Sequence, residues 1–363
     1  MPRLTIQAPI NNLGYGVAAY NIFNTLYRGD NSVALRCIGK PEFTNNAIEA
    51  GMLNQSGKSE YTVKIWHQHD LFDFVNCKTA VGFPIFELDR FSDLEKRSLR
   101  HCDQIMVCSE WAKSIVMDQC PPISYRGIDL EAFADESRVR VVPLGVDTDM
   151  FKPCQSGRKE TIFFNCGKWE KRKGHDILLE AFNRAFTNED QVELWMMCDN
   201  PFIGDQNNAW RELYKNSPLG NKIRVIPRQK NHKDVYNIMR QTDCGVFPAR
   251  AEGWNLELLE MMACGKEVIA TNYSAHTEFC NEENCRLIEP DGMEEAFDGV
   301  FFGGGSGNWA SFSEDSVNQL VQHMRDFHAA KTKGWVANHA GIETASNFTW
   351  ENSAQELLNG LRI

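Results

Sequence analysis

DCGVFPARAEGWNLELLEMMACGKEVIAT, residues 243–271, reads as strand, loop, helix and strand. Residues 244–248 are a short apolar run without alternation, as expected of a strand buried on both faces. Asn255 is a good N-cap, and Gly265 suits a helix end. Between them Leu256, Leu258, Leu259, Met261, Met262 and Ala263 surround the helix with apolar side chains, so it must be buried. A second strand follows at 267–271. Two buried strands joined through a buried helix imply a parallel sheet covered by helices.

The same alternation extends outward in both directions. Strands are expected at 161–166, 192–198 and 223–227 before this stretch. The helix after 161–166 is striped by Ile177, Leu178, Ala181, Phe182, Ala185 and Phe186. Nearer the N-terminus, strands are expected at 4–8, 32–38, 62–66, 80–85, 104–108 and 139–143. A helix carrying Ala19, Phe23, Leu26 and Tyr27 on one face follows the first of these. Residues 143–160 hold two prolines and two glycines among polar residues, and read as a linker. GGGSG at 303–307 reads as a mobile surface loop, with helices at 314–330 and 350–361. The fold class is therefore α/β, with two doubly wound, Rossmann-like domains facing across a cleft. Residues 1–153 form one, with the helix at 349–363 packing back on it, and residues 159–345 the other. Ligands are expected at the carboxyl ends of the strands.

Composition narrows the function. The chain has 363 residues and a net charge of -11, which argues against a broad nucleic-acid or anionic-lipid footprint. The N-terminal residues do not read as a signal peptide, and no apolar run reaches the roughly 18 residues that could span a bilayer. The twelve cysteines are scattered singly with no CxxC, and read as buried thiols in a reducing cytosol rather than a disulfide framework or metal site.

Two segments carry the chemistry. Glu260 falls on an apolar face of its helix, where a carboxylate costs several kcal/mol unless something binds it. That partner is either a structural cation or the hydroxyls of a ligand. Glu252 precedes the helix, and the amides of Gly253, Trp254, Asn255 and Leu256 would point to the same place, suited to an anion or a sugar. In NCGKWEKRKGHDILLEAF, residues 165–182, a loop with Lys168, Lys171, Arg172 and Lys173 leads into a helix. Such a turn suits a diphosphate, although a basic run alone is more often a solvated loop.

Taken in this order, CGKWEKRKGHDILLEAF, DCGVFPARAEGWNLELLEMMACGKEVIAT and Glu278 resemble the donor domain of retaining glycosyltransferase family 4, whose fold is GT-B. VVPLGVDTDMFKP at 141–153 and FTWENSAQELLNGL at 348–361 are similar to family segments as well. The resemblance implies that Glu260 binds the ribose of a UDP- or GDP-sugar and that Glu252 binds the transferred sugar. Lys168 and Lys173 would then neutralise the departing diphosphate, with Arg172 beside them. It implies no cofactor and no metal ion. Asp147 and Asp149 form a DxD, but in the segment matching the family's linker.

The first domain is less explicit. NNLGYGVAAY, residues 11–20, satisfies GxGxxA through Gly14, Gly16 and Ala19, yet the next strand ends in Cys37, Ile38, Gly39 and Lys40 without the acid that NAD binding requires. The resemblance implies instead that Gly14 and Gly16 let backbone approach the donor phosphate and acceptor. Many family members carry a histidine after the fourth strand, where AVGFPIFELDRF offers Glu87 and Asp89. Glu87 is therefore the catalytic candidate on this side, with His69 of WHQHD and Tyr15 as acceptor-side candidates. The expected activity is transfer of a sugar to an acceptor hydroxyl with retention; the acceptor, whether glycan, lipid-linked or protein, stays open. A same-fold UDP-sugar 2-epimerase type and a non-catalytic nucleotide-sugar binder are the competing readings. No nucleic-acid partner and no transmembrane segment are expected, and the location is cytoplasmic, with at most peripheral membrane contact.

Overall fold

The computed structural model describes residues 3–54, 57–75, 77–120, 123–125, 128–131, 137–334 and 336–363. Met1 and Pro2, where the reading of the N-terminus begins, lie outside them. The chain divides into two compact units, Met1–Gly145 with Phe348–Ile363, and Val146–Asn347. The division falls ahead of the boundary at 153, so residues 146–153 belong to the second unit.

In the first unit the strands are β1 (Leu4–Ala8), β2 (Ala34–Cys37), β3 (Ser59–Lys64), β4 (Cys77–Gly82), β5 (Gln104–Val107), a small antiparallel pair β6 (Ile123–Tyr125) and β7 (Ile128–Glu131), and β8 (Val139–Val141). They are joined through α1 (Gly14–Gly29), α2 (Asn46–Leu53), α3 (Asp93–Arg100) and α4 (Glu110–Gln119). The main sheet has the order β2-β1-β3-β4-β5-β8, all parallel. β3 and β4 each lie about one turn of chain earlier than 62–66 and 80–85. The Tyr61 amide donates to the Arg3 carbonyl (3.0 Å), which starts β3 early, and Pro84 has no N–H to extend β4. WHQHD thus becomes the loop leaving β3. The terminal helix Trp350–Leu361 packs against α1, and Gly145 approaches its start so closely that a Cβ would lie 2.3 Å from the Thr349 carbonyl carbon.

The second unit contains β9 (Thr161–Cys166), α5 (His175–Ala185), β10 (Val192–Met197), α6 (Gln206–Lys215), β11 (Ile223–Val225), α7 (His232–Met239), β12 (Cys244–Phe247), α8 (Leu256–Ala263), β13 (Glu267–Thr271), β14 (Arg286–Ile288), β15 (Gly292–Phe297), β16 (Gly303–Ser311), α9 (Glu314–Lys333) and α10 (His339–Asn347). Its sheet, β11-β10-β9-β12-β13-β14, is parallel throughout and reverses direction between β9 and β12. That reversal is where open α/β sheets hold ligands. β9 and β12 are buried at every residue, which is why both were readable as unbroken apolar runs. GGGSG is not a surface loop of its own. It lies in β16, antiparallel to β15, where Trp309 is fully buried with its indole N–H on Glu294 Oε1 (3.0 Å), and the Ala310 amide reaches the Arg250 carbonyl (2.9 Å). Side chains further along the strand anchor it, so the glycine run alone misleads.

Each unit is thus a doubly wound α/β layer structure, the GT-B class expected from the sequence.

Candidate functional site

The loops leaving β9 and β12 flank the reversal point of the second sheet, and they are fastened together. The Arg250 amide donates to the Arg172 carbonyl (2.6 Å), and the Arg250 guanidinium to the Lys171 carbonyl and to Asp176 (2.7 and 2.8 Å). Beneath them, buried Trp169 lies parallel to Trp210 (5.6 Å). His175 accepts from the Glu170 amide at Nδ1 (3.2 Å), so its Nε2 carries the proton and donates to Asn165 Oδ1 (3.1 Å). Burial, with Lys173 close by, pushes the His175 pKa down to about 3, and the ring acts as a neutral strut.

Gly174 caps α5 in the left-handed region (φ 69°), where a Cβ would stand 1.9 Å from the Pro248 carbonyl oxygen. Strain and overlap with backbone from a second strand compound each other. Gly174→Ala is expected to lose more than about 3 kcal/mol of stability, visible as a lower urea midpoint. An unchanged midpoint would show that the two loops can part at little cost.

Charge is concentrated between these loops. Glu252, 5% exposed, accepts from Arg172 Nη1 at Oε2 (2.8 Å) and from Lys173 Nζ at Oε1 (2.7 Å). Arg172 also reaches Glu170 Oε2 (2.9 Å) and the Ala251 carbonyl (2.7 Å), and Lys168 pairs with Glu170 Oε1 (2.8 Å). Burial alone would raise the Glu252 pKa, but Lys173 and Arg172 overcome it and hold the carboxyl ionised far below its usual range. Lys173 is the mirror case: burial opposes its charge, while Glu252 and Glu257 carry it above the ordinary lysine value. Lys168, Arg172 and Lys173 face the carboxylates of Glu170 and Glu252, and Glu257 acts on Lys173 as well. Half-buried Lys171 stands beside them, donating to the Phe297 carbonyl (3.3 Å). Such a concentration of cations, at a point where two loops end, is chemistry for an anion.

Glu260 is different. It is 6% exposed, one turn into α8, and no lysine, arginine or hydrogen-bond donor of the described residues reaches its carboxylate. His232 Nδ1 stands 3.7 Å away, too long for a hydrogen bond. Burial, reinforced by Glu257, pushes the Glu260 pKa well up, and burial pushes His232 down, so this is no ion pair at neutral pH. The mouth of the helix is set by Asn255, at φ 89°, whose side chain accepts from the Leu258 amide (3.2 Å) and bonds His276 Nε2 (2.9 Å). The amides of Leu256 and Glu257 find no acceptor among the described residues. The Trp254 ring is buried against Phe279 (5.0 Å), within the packing rather than beside the charges; Gly253 is buried in the backbone leading to it.

In the first unit the sheet reverses between β1 and β3, and the loops leaving those strands meet. Tyr15 contacts the rings of His67 (4.7 Å) and Trp66 (5.7 Å), and His67 stacks on exposed His69 (5.3 Å). The Tyr15 hydroxyl donates to the Ile85 carbonyl (2.6 Å) and accepts from its amide (3.0 Å), so it is committed to structure. Burial, then the charge of half-buried Glu87, raise its pKa well above the usual value, which places Glu87 near the same cluster. A Cβ on Gly16 would lie 2.2 Å from Asn11 Oδ1, so this glycine is required by its own loop, whereas Gly14 faces open space. Asp147 accepts the amides of Asp149 and Met150 (3.0 Å each), a turn-forming use of that aspartate.

Glu170, Arg250 and His67 were not singled out from the sequence. Glu170 stands in plain view within KWEKRK as the one acid among cations. Arg250 and His67 gave no comparable signal, because what defines them is a contact with distant chain.

Two α/β units of parallel strands, with a buried carboxylate and clustered cations at one sheet's reversal point, define the GT-B fold class. Residues 147–300 match the model of the family described as glycosyl transferases group 1. The chain is similar to D-inositol 3-phosphate glycosyltransferase of Mycobacteroides abscessus, at 22% identity over 236 residues, covering 62% of this chain and 46% of that one. The Mycobacterium bovis enzyme of the same name is 25% identical over 241 residues, covering 63% and 44%. The chain thus spans about half the length of these curated relatives. Among solved structures, sucrose-phosphate synthase from Thermosynechococcus elongatus superposes with a TM-score of 0.69 at 15% identity, covering 99% of this chain and 98% of that chain. Anabaena Alr3699/HepE in complex with UDP gives 0.69 at 15% identity, covering 100% of each. These structural likenesses concern the fold.

Proposed function

We propose that the chain transfers a sugar from a nucleoside-diphosphate sugar to an acceptor hydroxyl, with retention at the anomeric carbon and without a metal ion. The observation that carries this reading is Glu260, a buried carboxylate with no donor of its own, on the helix whose first turn, through Glu257, adjoins the cation cluster. A ribose diol supplies the missing donors, and a diphosphate suits the cations. The match of residues 147–300 to the glycosyl transferases group 1 model and the UDP complex of Alr3699/HepE agree with such a donor.

In this reading the carboxylates and cations have separate tasks. Lys173 and Lys168 face charge that grows on the β-phosphate as the sugar–oxygen bond breaks, and fixed cations there favour the transition state. They supply locally the charge that a divalent ion would otherwise bring. Glu252 keeps Lys173 and Arg172 in place and retains lone pairs for sugar hydroxyls. The donor phosphate itself would take the acceptor proton, so no strong protein base is required. Glu87 and His69 remain the acceptor-side candidates of the first unit. No helix among the described residues is long and apolar enough to cross a membrane. A cytoplasmic enzyme touching membranes at most peripherally fits that finding.

Calorimetry with UDP and with GDP tests the donor site directly. One of the two is expected to bind in the micromolar to millimolar range typical of substrates, roughly −4 to −8 kcal/mol, equally with and without a chelator. No heat from either at millimolar concentration overturns the proposal, and binding lost to the chelator overturns its metal-free form.

A further inference from the structure

A relay of hydrogen bonds that the donor scheme leaves unused ties the end of β13 to the first turn of α8. Buried His276 lies on the turn Ser274–Glu278, which follows β13. Its Nδ1 faces the Thr271 carbonyl (3.0 Å), and its Nε2 faces Asn255 Nδ2 (2.9 Å). Asn255 Oδ1 accepts the Leu258 amide (3.2 Å). Both ends of this chain are backbone groups with a single role, and they settle every proton between them. A carbonyl only accepts, so Nδ1 carries the ring proton. An amide N–H only donates, so Asn255 turns its oxygen to Leu258 and its NH2 to the ring. Nε2 is then the acceptor. Burial pushes the His276 pKa down, so the neutral ring that the relay requires is the one present at neutral pH. A protonated ring would set two donors against each other.

What the relay holds is strained. Asn255 sits at φ 89° and Ser274 at φ 55°, two of the three non-glycine residues with left-handed backbone among the described residues. The segments that carry them grip each other at two further points. The Glu252 amide donates to Ser274 Oγ (2.9 Å), and the Ala275 amide to the Glu252 carbonyl (3.2 Å). Left-handed backbone is costly for a residue with a side chain and persists where its surroundings over-determine it, a habit of ligand sites. Here it turns the chain into α8, whose first amides, Leu256 and Glu257, find no acceptor among the described residues. That turn adjoins the cation cluster through Glu257. Glycine would reach the same φ without strain, but a neighbour could not hold it there.

We propose that His276 is a positioning residue of the donor site: through Asn255 it fixes the amides of Leu256 and Glu257 to receive the distal phosphate of a nucleoside diphosphate. The inference rests on the donor-site reading above and adds to it a residue that touches no substrate. In that reading Glu260, one turn further along α8, serves the ribose. His276 therefore matters to the phosphate end of the ligand and not to the nucleoside end.

Calorimetry with UDP and UMP, and with GDP and GMP, tests this on the wild type and four variants. His276→Leu removes both ring hydrogen bonds and is expected to weaken the diphosphate about tenfold while changing the monophosphate less than about threefold. His276→Gln, whose Oε1 can still accept from Asn255, should return the diphosphate affinity to within about threefold of wild type. Asn255→Gly cuts the relay from the other side without backbone strain and should show the same loss for the diphosphate alone, which keeps the test open if thermal melts show His276→Leu unfolded. Adding His276→Leu to Asn255→Gly should then cost nothing more, because the histidine acts through the asparagine. Undiminished diphosphate affinity in folded His276→Leu, equal losses for diphosphate and monophosphate, or additive losses in the double variant overturn the inference and leave the donor reading standing. A wild-type protein that binds none of the four nucleotides overturns both.

Discussion

Lys173→Ala is expected to lower turnover by about 10²–10³-fold while changing the donor KM by less than about threefold. The half-buried ammonium lies beside Glu252 (2.7 Å), is held charged by Glu252 and Glu257, and carries no substrate hydroxyl contact in the proposed scheme. Its work is done when charge moves onto the diphosphate, so removing it should be felt in the transition state more than in the ground state. Removing it also leaves Glu252 with Arg172 alone (2.8 Å), and a buried carboxylate stripped of one partner costs stability. The two effects separate in Lys173→Arg, which retains a cation for Glu252 but places its charge differently. Steady-state kinetics on both variants, with thermal melts alongside, decide the matter. Full turnover in a well-folded Lys173→Ala protein removes Lys173 from the leaving-group role, whatever becomes of the donor site.

The second unit was the more legible half because its central strands are buried on both faces, and parallel buried strands write themselves as continuous apolar runs. β9 and β13 fall where the pattern put them. β14, three residues long, and the β15–β16 hairpin did not announce themselves, since glycine and polar residues carry much of their length. α6 and α7 were also unread: QNNAWRELYK is mostly solvated, and only Tyr214 of it is buried. Within the site, Glu260 was legible because a carboxylate amid leucines and methionines violates the pattern of its own helix. Its lack of a cation partner was not legible, for that depends on which residues lie around α8 in space. Glu252 shows the reverse. Its spacing from Glu260 marked it, but the Arg172 and Lys173 partners that take both its oxygens lie about eighty positions away. In the first unit the use of the Tyr15 hydroxyl by Ile85 spans 70 residues, so a residue that looked available from sequence is already engaged.

Glu260→Gln should strengthen the fold and weaken nucleotide binding at once. The folded protein holds the Glu260 proton well above the ordinary 4.5, because burial and Glu257 oppose its charge. The unfolded chain releases that proton near the ordinary value, so over the interval between the two the folded state binds more protons. Stability therefore falls as pH rises through that interval. The contribution is intact below the unfolded value and is lost as pH passes the folded one. The groups facing the carboxylate are Glu257 on its own helix, His232 on α7, and the thiols of Cys166 and Cys264. None supplies the fixed positive charge that would reverse this sign. Glutamine keeps the shape without the charge and should flatten the pH dependence, adding about 1–3 kcal/mol at neutral pH. The same substitution takes a charged acceptor from the ribose and should cost roughly 1–3 kcal/mol of UDP or GDP affinity. Denaturant titrations at acid and neutral pH, paired with calorimetry, read both changes. A protein that loses stability at neutral pH would show that the carboxylate already has structural partners. Unchanged affinity would place the ribose elsewhere. Only a carboxylate kept at a cost to the fold, for the sake of a ligand, gives the two opposite signs together.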